Sequence, residues 1–139
     1  MAFQPIIKQW DPMAVINLKV GAVALNMGDL CSYETQAVVL MDLVTEDATF
    51  CGVAGGRCGT TDAGLYIPIF TKCIVRMNLA SATYDFGNTL LYSAKNTLAD
   101  AATVNSVGSY WDVYGTTLTA GDVYFDIQNL GKLFEAPLA

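Results

Sequence analysis

Gly64-Leu65-Tyr66-Ile67-Pro68-Ile69-Phe70-Thr71-Lys72-Cys73-Ile74-Val75-Arg76-Met77-Asn78 decides the fold class. In its second half Cys73, Val75 and Met77 alternate with Lys72, Arg76 and Asn78, and Ile74 is the one exception. A period of two, apolar on one side and wet on the other, is the signature of a half-buried β-strand. The first half, Leu65 to Phe70, is apolar on both faces and contains Pro68. Proline has no N–H to give to a ladder, so this strand is predicted at a sheet edge or a bulge. An edge that is apolar on both faces invites pairing with another chain. Leu65, Tyr66, Ile67, Ile69 and Phe70 are therefore predicted to make a subunit contact.

Outward from this stretch, turns and short apolar runs follow one another. Gly28-Asp29-Leu30, Gly87-Asn88-Thr89-Leu90 and Gly121-Asp122-Val123 each run a glycine and an acid or amide (or Asn-Thr) into an apolar residue. Glycine supplies the backbone freedom of a tight turn, and Asp or Asn can bond the backbone two residues on. Strands are predicted at Leu18–Leu25, Leu30–Tyr33, Ala37–Met41, Phe50–Ala54, Thr89–Ser93 and Tyr110–Tyr114, with a short one at Lys132–Phe134. After Gly121-Asp122, Val123, Phe125 and Ile127 take one face, and Asp122, Tyr124 and Asp126 the other. Lys95 to Ser109, rich in Ala, Thr, Asn and Asp, reads as a loop with room for one helical turn at Leu98–Ala102. The expectation is a single all-β domain with little helix.

Composition turns attention from chemistry to assembly. Charged residues make up 14% of the 139, against about 25% in an average soluble domain. Apolar residues reach 53%, so part of the surface is expected to be covered by other protein chains. Membrane insertion is not expected, because runs such as Val20–Leu25 and Val38–Met41 are far short of the roughly 20 residues of a spanning helix. The net charge of −6 argues against direct nucleic-acid binding, which rests on neutralised phosphates. Met1-Ala2-Phe3-Gln4-Pro5 shows no secretion signal, so the protein is expected to stay in the cytosol where it is made. Cys31, Cys51, Cys58 and Cys73 are then thiols. There is no histidine and no paired C-x-x-C spacing, so neither a metal nor a cofactor is expected.

Residues 1–17 differ from the rest. Pro5 and Pro12 interrupt them, while Phe3, Ile6, Ile7, Trp10, Met13, Val15 and Ile16 are large and apolar. Proline favours an extended path. Such a segment either straps its own body or lies on a neighbouring subunit. It is assigned as an extended N-terminal arm, with residues 18–139 as the β-body. Phe3, Ile6, Ile7 and Trp10 are its expected contacts, and deletion of residues 1–11 is expected to leave the body folded.

Candidate chemistry is sparse. The glycine-rich run Gly52 to Gly59 lacks the Lys-Ser or Lys-Thr and the helix start of a phosphate loop, and reads as a β-connection. Asp122 and Asp126 share a strand face, an arrangement open to acid/base work or calcium, but commoner as a solvated face. Without histidine the usual triad is excluded, and no enzyme is expected. Trp10, Tyr110, Trp111, Tyr114 and Tyr124 could form a sugar-stacking platform or anchor an interface, and the interface is preferred.

Four pieces in order carry a resemblance: Gly28-Asp29-Leu30, Phe50-Cys51-Gly52-Val53-Ala54, the strand pair through Ile67 to Met77, and Phe86-Gly87-Asn88-Thr89-Leu90-Leu91-Tyr92. Together they resemble the small capsid decoration (cement) proteins of tailed bacteriophages, over roughly residues 18–93. The departures are Asn88 where Asp is usual and a longer 95–114 region. The resemblance implies a small β-barrel or β-tulip and a homotrimer seated where capsomers meet. It also implies a terminal arm on the major capsid protein, a place on the virion surface after synthesis in the host cytoplasm, and no catalysis. Two other classes fit the same composition: another β-rich virion component such as a tail tube or head-fibre base, and a carbohydrate-binding β-module.

Overall fold

The computed structural model describes residues 4–34, 36–40, 50–80, 84–87, 89–100, 107–111 and 120–127. The strands are β1 (Ile6–Trp10), β2 (Val15–Lys19), β3 (Leu30–Glu34), β4 (Ala37–Leu40), β5 (Phe50–Ala54), β6 (Tyr66–Phe70), β7 (Lys72–Leu79), β8 (Thr89–Ala94), β9 (Thr97–Asp100), β10 (Gly108–Tyr110) and β11 (Ala120–Asp126). No helix occurs among the described residues, so the expected all-β class is what the chain adopts. The predicted strand at Lys132–Phe134 lies outside the described residues.

The alternation in β7 works as its sequence demands. Cys73, Val75, Met77 and Leu79 are buried, and Lys72, Ile74, Arg76 and Asn78 face outward. β7 anchors a six-stranded sheet ordered β1-β7-β11-β10-β8-β9, and its end also pairs in parallel with β9 through Asn78–Thr97 and Leu79–Leu98. The second sheet has five strands, β2-β6-β5-β3-β4. Its margins touch at one bridge, Val20–Val38, where the Gly21 N–H donates to the Val38 carbonyl at 2.9 Å. Both sheets are therefore curled, but no closed barrel is found among the described residues.

Two apolar cores result. Leu30, Val53 and Phe70 of the five-stranded sheet meet Val75, Met77, Val123, Phe125, Leu90 and Tyr110 of the six-stranded sheet. On the other face of the five-stranded sheet, Leu18, Cys31, Val38, Cys51, Ile67 and Ile69 close over Val20 and Leu25. This second core corrects the reading of Leu65–Phe70. β6 is not an edge: it lies between β2 and β5. It is apolar on both faces because the chain's own residues cover both. Ile67, Ile69 and Phe70 are 6%, 0% and 8% exposed, so they are not a subunit contact; Leu65 and Tyr66, just beyond the covered part, remain exposed.

Pro68 sits inside a sheet for a local reason. The bonds Val20 N–H to Leu65 carbonyl and Thr71 N–H to Ala14 carbonyl set the β2–β6 ladder, and the alternation of that ladder turns the backbone of Pro68 away from β2. On its other side the β5–β6 pairing ends at Ala54–Ile69. The missing donor thus falls just past the last pair, while the Pro68 carbonyl still accepts from the Gly55 N–H at 2.8 Å.

The N-terminal assignment is also corrected. β1 pairs with β7 and β2 pairs with β6, so residues 6–19 run antiparallel to residues 66–76 and belong to both sheets. The expected boundary at residue 17 falls inside β2. Residues 1–11 are therefore not a detachable arm. At the crossing between sheets, the Asp11 N–H donates to the Lys72 carbonyl at 3.0 Å and the buried Thr71 hydroxyl to the Ala14 carbonyl at 2.8 Å. Two shorter differences follow the same logic of pairing. The strand expected over Leu18–Leu25 is regular only from Val15 to Lys19. The loop expected from Lys95 is instead a tight turn at Lys95-Asn96 joining β8 to β9, with Asn96 at φ +52°. Asparagine tolerates that left-handed conformation better than most residues.

Candidate interaction surface

Asp29 is a buried acid, 3% exposed at the turn before β3. Its Oδ2 accepts from the Asn26 N–H at 2.9 Å. Its Oδ1 accepts from Asn96 Nδ2 at 3.0 Å and from Gln4 Nε2 at 3.2 Å. Asn96, 1% exposed, uses its own Oδ1 to accept from the Leu30 N–H at 3.2 Å. The β8–β9 turn of one sheet is thus fastened to the first residue of β3 in the other. Gly28 lets the N-terminus pack here: at φ +99°, a Cβ would stand 2.6 Å from the Pro5 carbonyl oxygen. All Asp29 oxygens face donors within the fold, so this cluster is structural.

The Gln4 contact and the β7 pairing hold β1 in place with its side chains partly in water. β1 is an edge strand, with a register shift between Ile7 and Gln9 that leaves Lys8 as the extra residue. A bulge and a lysine on an edge resist strand addition. What β1 offers is side chains. Ile6 is 57% exposed, Trp10 is 52% exposed although its ring stacks on Phe70 at 5.2 Å, and Met13 just beyond is 92% exposed. Ile7 instead packs against the inter-sheet core. Of the predicted arm contacts, Ile6 and Trp10 are available, Ile7 is largely spent on the fold, and Phe3 lies outside the described residues.

A second surface covers the outer face of the six-stranded sheet. Phe86 and Trp111 have ring centroids 4.8 Å apart, and Trp111 and Tyr124 are 5.1 Å apart. Phe86 is 55% and Trp111 41% exposed. Beside them lies a shallow cavity of about 280 Å³, formed by Lys8, Gln9, Ile74, Trp111 and Asp122. Ile74, the exception in the alternation of β7, is part of that cavity. A second cavity, about 200 Å³, shares Gln9 and Ile74 and adds Trp10, Lys72 and Tyr124. Asp122 pairs with Arg76 across the strands at 3.4 Å. The Tyr124 hydroxyl donates to Asp126 Oδ2 at 3.2 Å, and desolvation, reinforced by the Asp126 carboxylate, pushes that phenol up. Of the aromatics considered from sequence, Trp111 and Tyr124 do come together. Tyr110 is fully buried against Tyr84, and Tyr114 lies outside the described residues. Phe86 was missed, since nothing in a turn residue signals that the fold will bring it to Trp111.

Cys31, Cys51 and Cys73 are buried and Cys58 is half-buried. All four are free thiols. Burial pushes Cys51 and Cys73 up to about 12 and raises Cys31 well above the ordinary range. Among the described residues no group of three or more His, Cys, Asp or Glu is gathered as a metal would need, and no helix is long and apolar enough to cross a membrane. No protein-family model and no curated protein matches this chain.

Proposed function

We propose that this chain is a non-enzymatic capsid decoration protein of the tailed-bacteriophage kind. It is made in the host cytoplasm and seated as a homotrimer on the outside of the head, between capsomers of the major capsid protein. The observation that supports this is the N-terminal edge. Ile6 and Trp10 are held out from a strand whose backbone is already anchored, and Met13 from the turn after it, in a chain with few charges. Large apolar groups presented on a fixed frame are what a protein interface needs, because little ordering entropy remains to be lost on contact. On this reading the two curled sheets, one with its margins touching at Val20–Val38 and the other with β9 brought back to β7 at Asn78–Thr97, form the β-barrel or β-tulip body implied by the resemblance.

The test uses the purified full chain. Light scattering is expected to give a trimer, and sedimentation with undecorated shells of the cognate major capsid protein is expected to saturate. The triple variant Ile6→Ser, Trp10→Ser, Met13→Ser is expected to keep the β-sheet circular dichroism spectrum and lose shell binding. A monomer that leaves the shells bare refutes the proposal.

A further inference from the structure

We infer that the outer face of the six-stranded sheet carries a binding site for an uncharged oligosaccharide, with Trp111 as its stacking ring. The site borders the N-terminal edge, since Lys8 and Gln9 of β1 form its flank, but it uses none of Ile6, Trp10 and Met13 and does not depend on the shell-binding reading. The interior already holds its own large aromatics, Tyr84, Tyr110 and Phe125, so the strip Phe86–Trp111–Tyr124 is not core that failed to be covered. It is three rings in contact on a sheet face, two of them more than 40% exposed. Phe86 and Trp111 leave ring area open to solvent, and the cavity of about 280 Å³ next to Trp111 gives it a polar flank.

The flank defines the ligand. Gln9 offers an amide that both donates and accepts, Lys8 offers donors, and Asp122 offers acceptors already oriented by Arg76. Charges of both signs are interspersed, so no one-signed field exists to hold a phosphate or a nucleic acid. The matching molecule has apolar faces to lie on rings and a rim of neutral groups that donate and accept. A pyranose has that form: C–H groups on its faces and hydroxyls around its edge. A peptide added as a strand would need a regular open edge, and the adjoining edge, β1, is broken by its bulge at Lys8.

The experiment titrates the full chain with cellohexaose, chitohexaose, maltohexaose and xylohexaose, with decaproline as the peptide probe, following tryptophan fluorescence and calorimetry. At least one oligosaccharide is expected to bind saturably and decaproline is not. Trp111→Ala is expected to weaken that binding at least about tenfold, equivalent to about 1.4 kcal/mol. Trp111→Phe, which keeps a ring, is expected to retain most of it, and Met13→Ser all of it. No binding to any of the four sugars overturns the inference, as does an unchanged Trp111→Ala or competition by decaproline. Shell sedimentation of Trp111→Ala is expected to match the parent, so the two surfaces fail or succeed separately.

Discussion

Removing the Asp29 carboxylate is expected to loosen the two sheets from each other. In Asp29→Ala three donors lose their acceptor: the Asn26 N–H, the Gln4 amide and the Asn96 amide. Gln4 can turn to water, but Asn96 is 1% exposed and its Nδ2 would be stranded. An unmet buried polar group costs about 1–3 kcal/mol, and a bond to a charged acceptor contributes about 1.5–3 kcal/mol. The expected loss is therefore about 3 kcal/mol, a large share of the roughly 5–15 kcal/mol of a typical domain. Asn96→Gly is the proper partner variant, since glycine keeps the positive φ that alanine would strain. In a double-mutant cycle by urea unfolding, the Asp29–Asn96 coupling should be about 1.5 kcal/mol or more. A coupling below about 0.5 kcal/mol, the ordinary error of additivity, refutes the reasoning.

Gly52→Ala should destabilise by about 2–4 kcal/mol, since its Cβ would lie 2.6 Å from the Phe70 carbonyl oxygen at φ +141°; a shift in urea midpoint equivalent to under about 1 kcal/mol would contradict this. Deleting residues 1–11 should expose the β7 edge and remove the Gln4 contact, giving an aggregating or unfolded protein by light scattering and circular dichroism rather than an intact body. The thiols of Cys51 and Cys73, ordinarily ionising near 9.0, are pushed up to about 12, so the folded state favours their neutral form. That stability is fully present below pH 9 and is lost as pH rises toward 12. Urea midpoints at pH 7 and pH 10.5 should therefore fall in that order, and native alkylation should reach Cys58 before the other three.

Local chemistry was legible in the sequence where the partner of a residue did not matter. The alternation of β7 and of Asp122–Asp126, and the Gly28-Asp29 turn into Leu30, all follow from side-chain period and turn preference, whereas Ile127 lies past the end of β11 and is only half-buried. Leu65–Phe70 was not legible as an inner strand, because two-faced apolarity reads alike whether the second cover comes from the same chain or another. Lys95-Asn96 looked like loop because its turn depends on Asn96 reaching Asp29, a contact between residues far apart in sequence. On the surface, Trp111 and Tyr124 were candidates from composition alone, but Phe86 is joined to them by the Gly87 N–H bond to the Tyr110 carbonyl, and the Lys8–Gln9 flank by the pairings of β1 with β7 and of β7 with β11.

The run of residues 6–19 against residues 66–76 also dictates when the chain can finish folding. β1 and β2 are made before their partners, β7 and β6, exist. At about 5–20 residues per second, β1 waits roughly 3–14 s before Arg76 is even made. Through that interval Ile6, Ile7, Trp10, Val15 and Ile16 have no strand beside them, and pairing so distant is intrinsically slow once it becomes possible. Residues 6–19 are therefore left unpaired during synthesis, and a chaperone that shields them until residues 66–76 are made should raise the yield of folded protein.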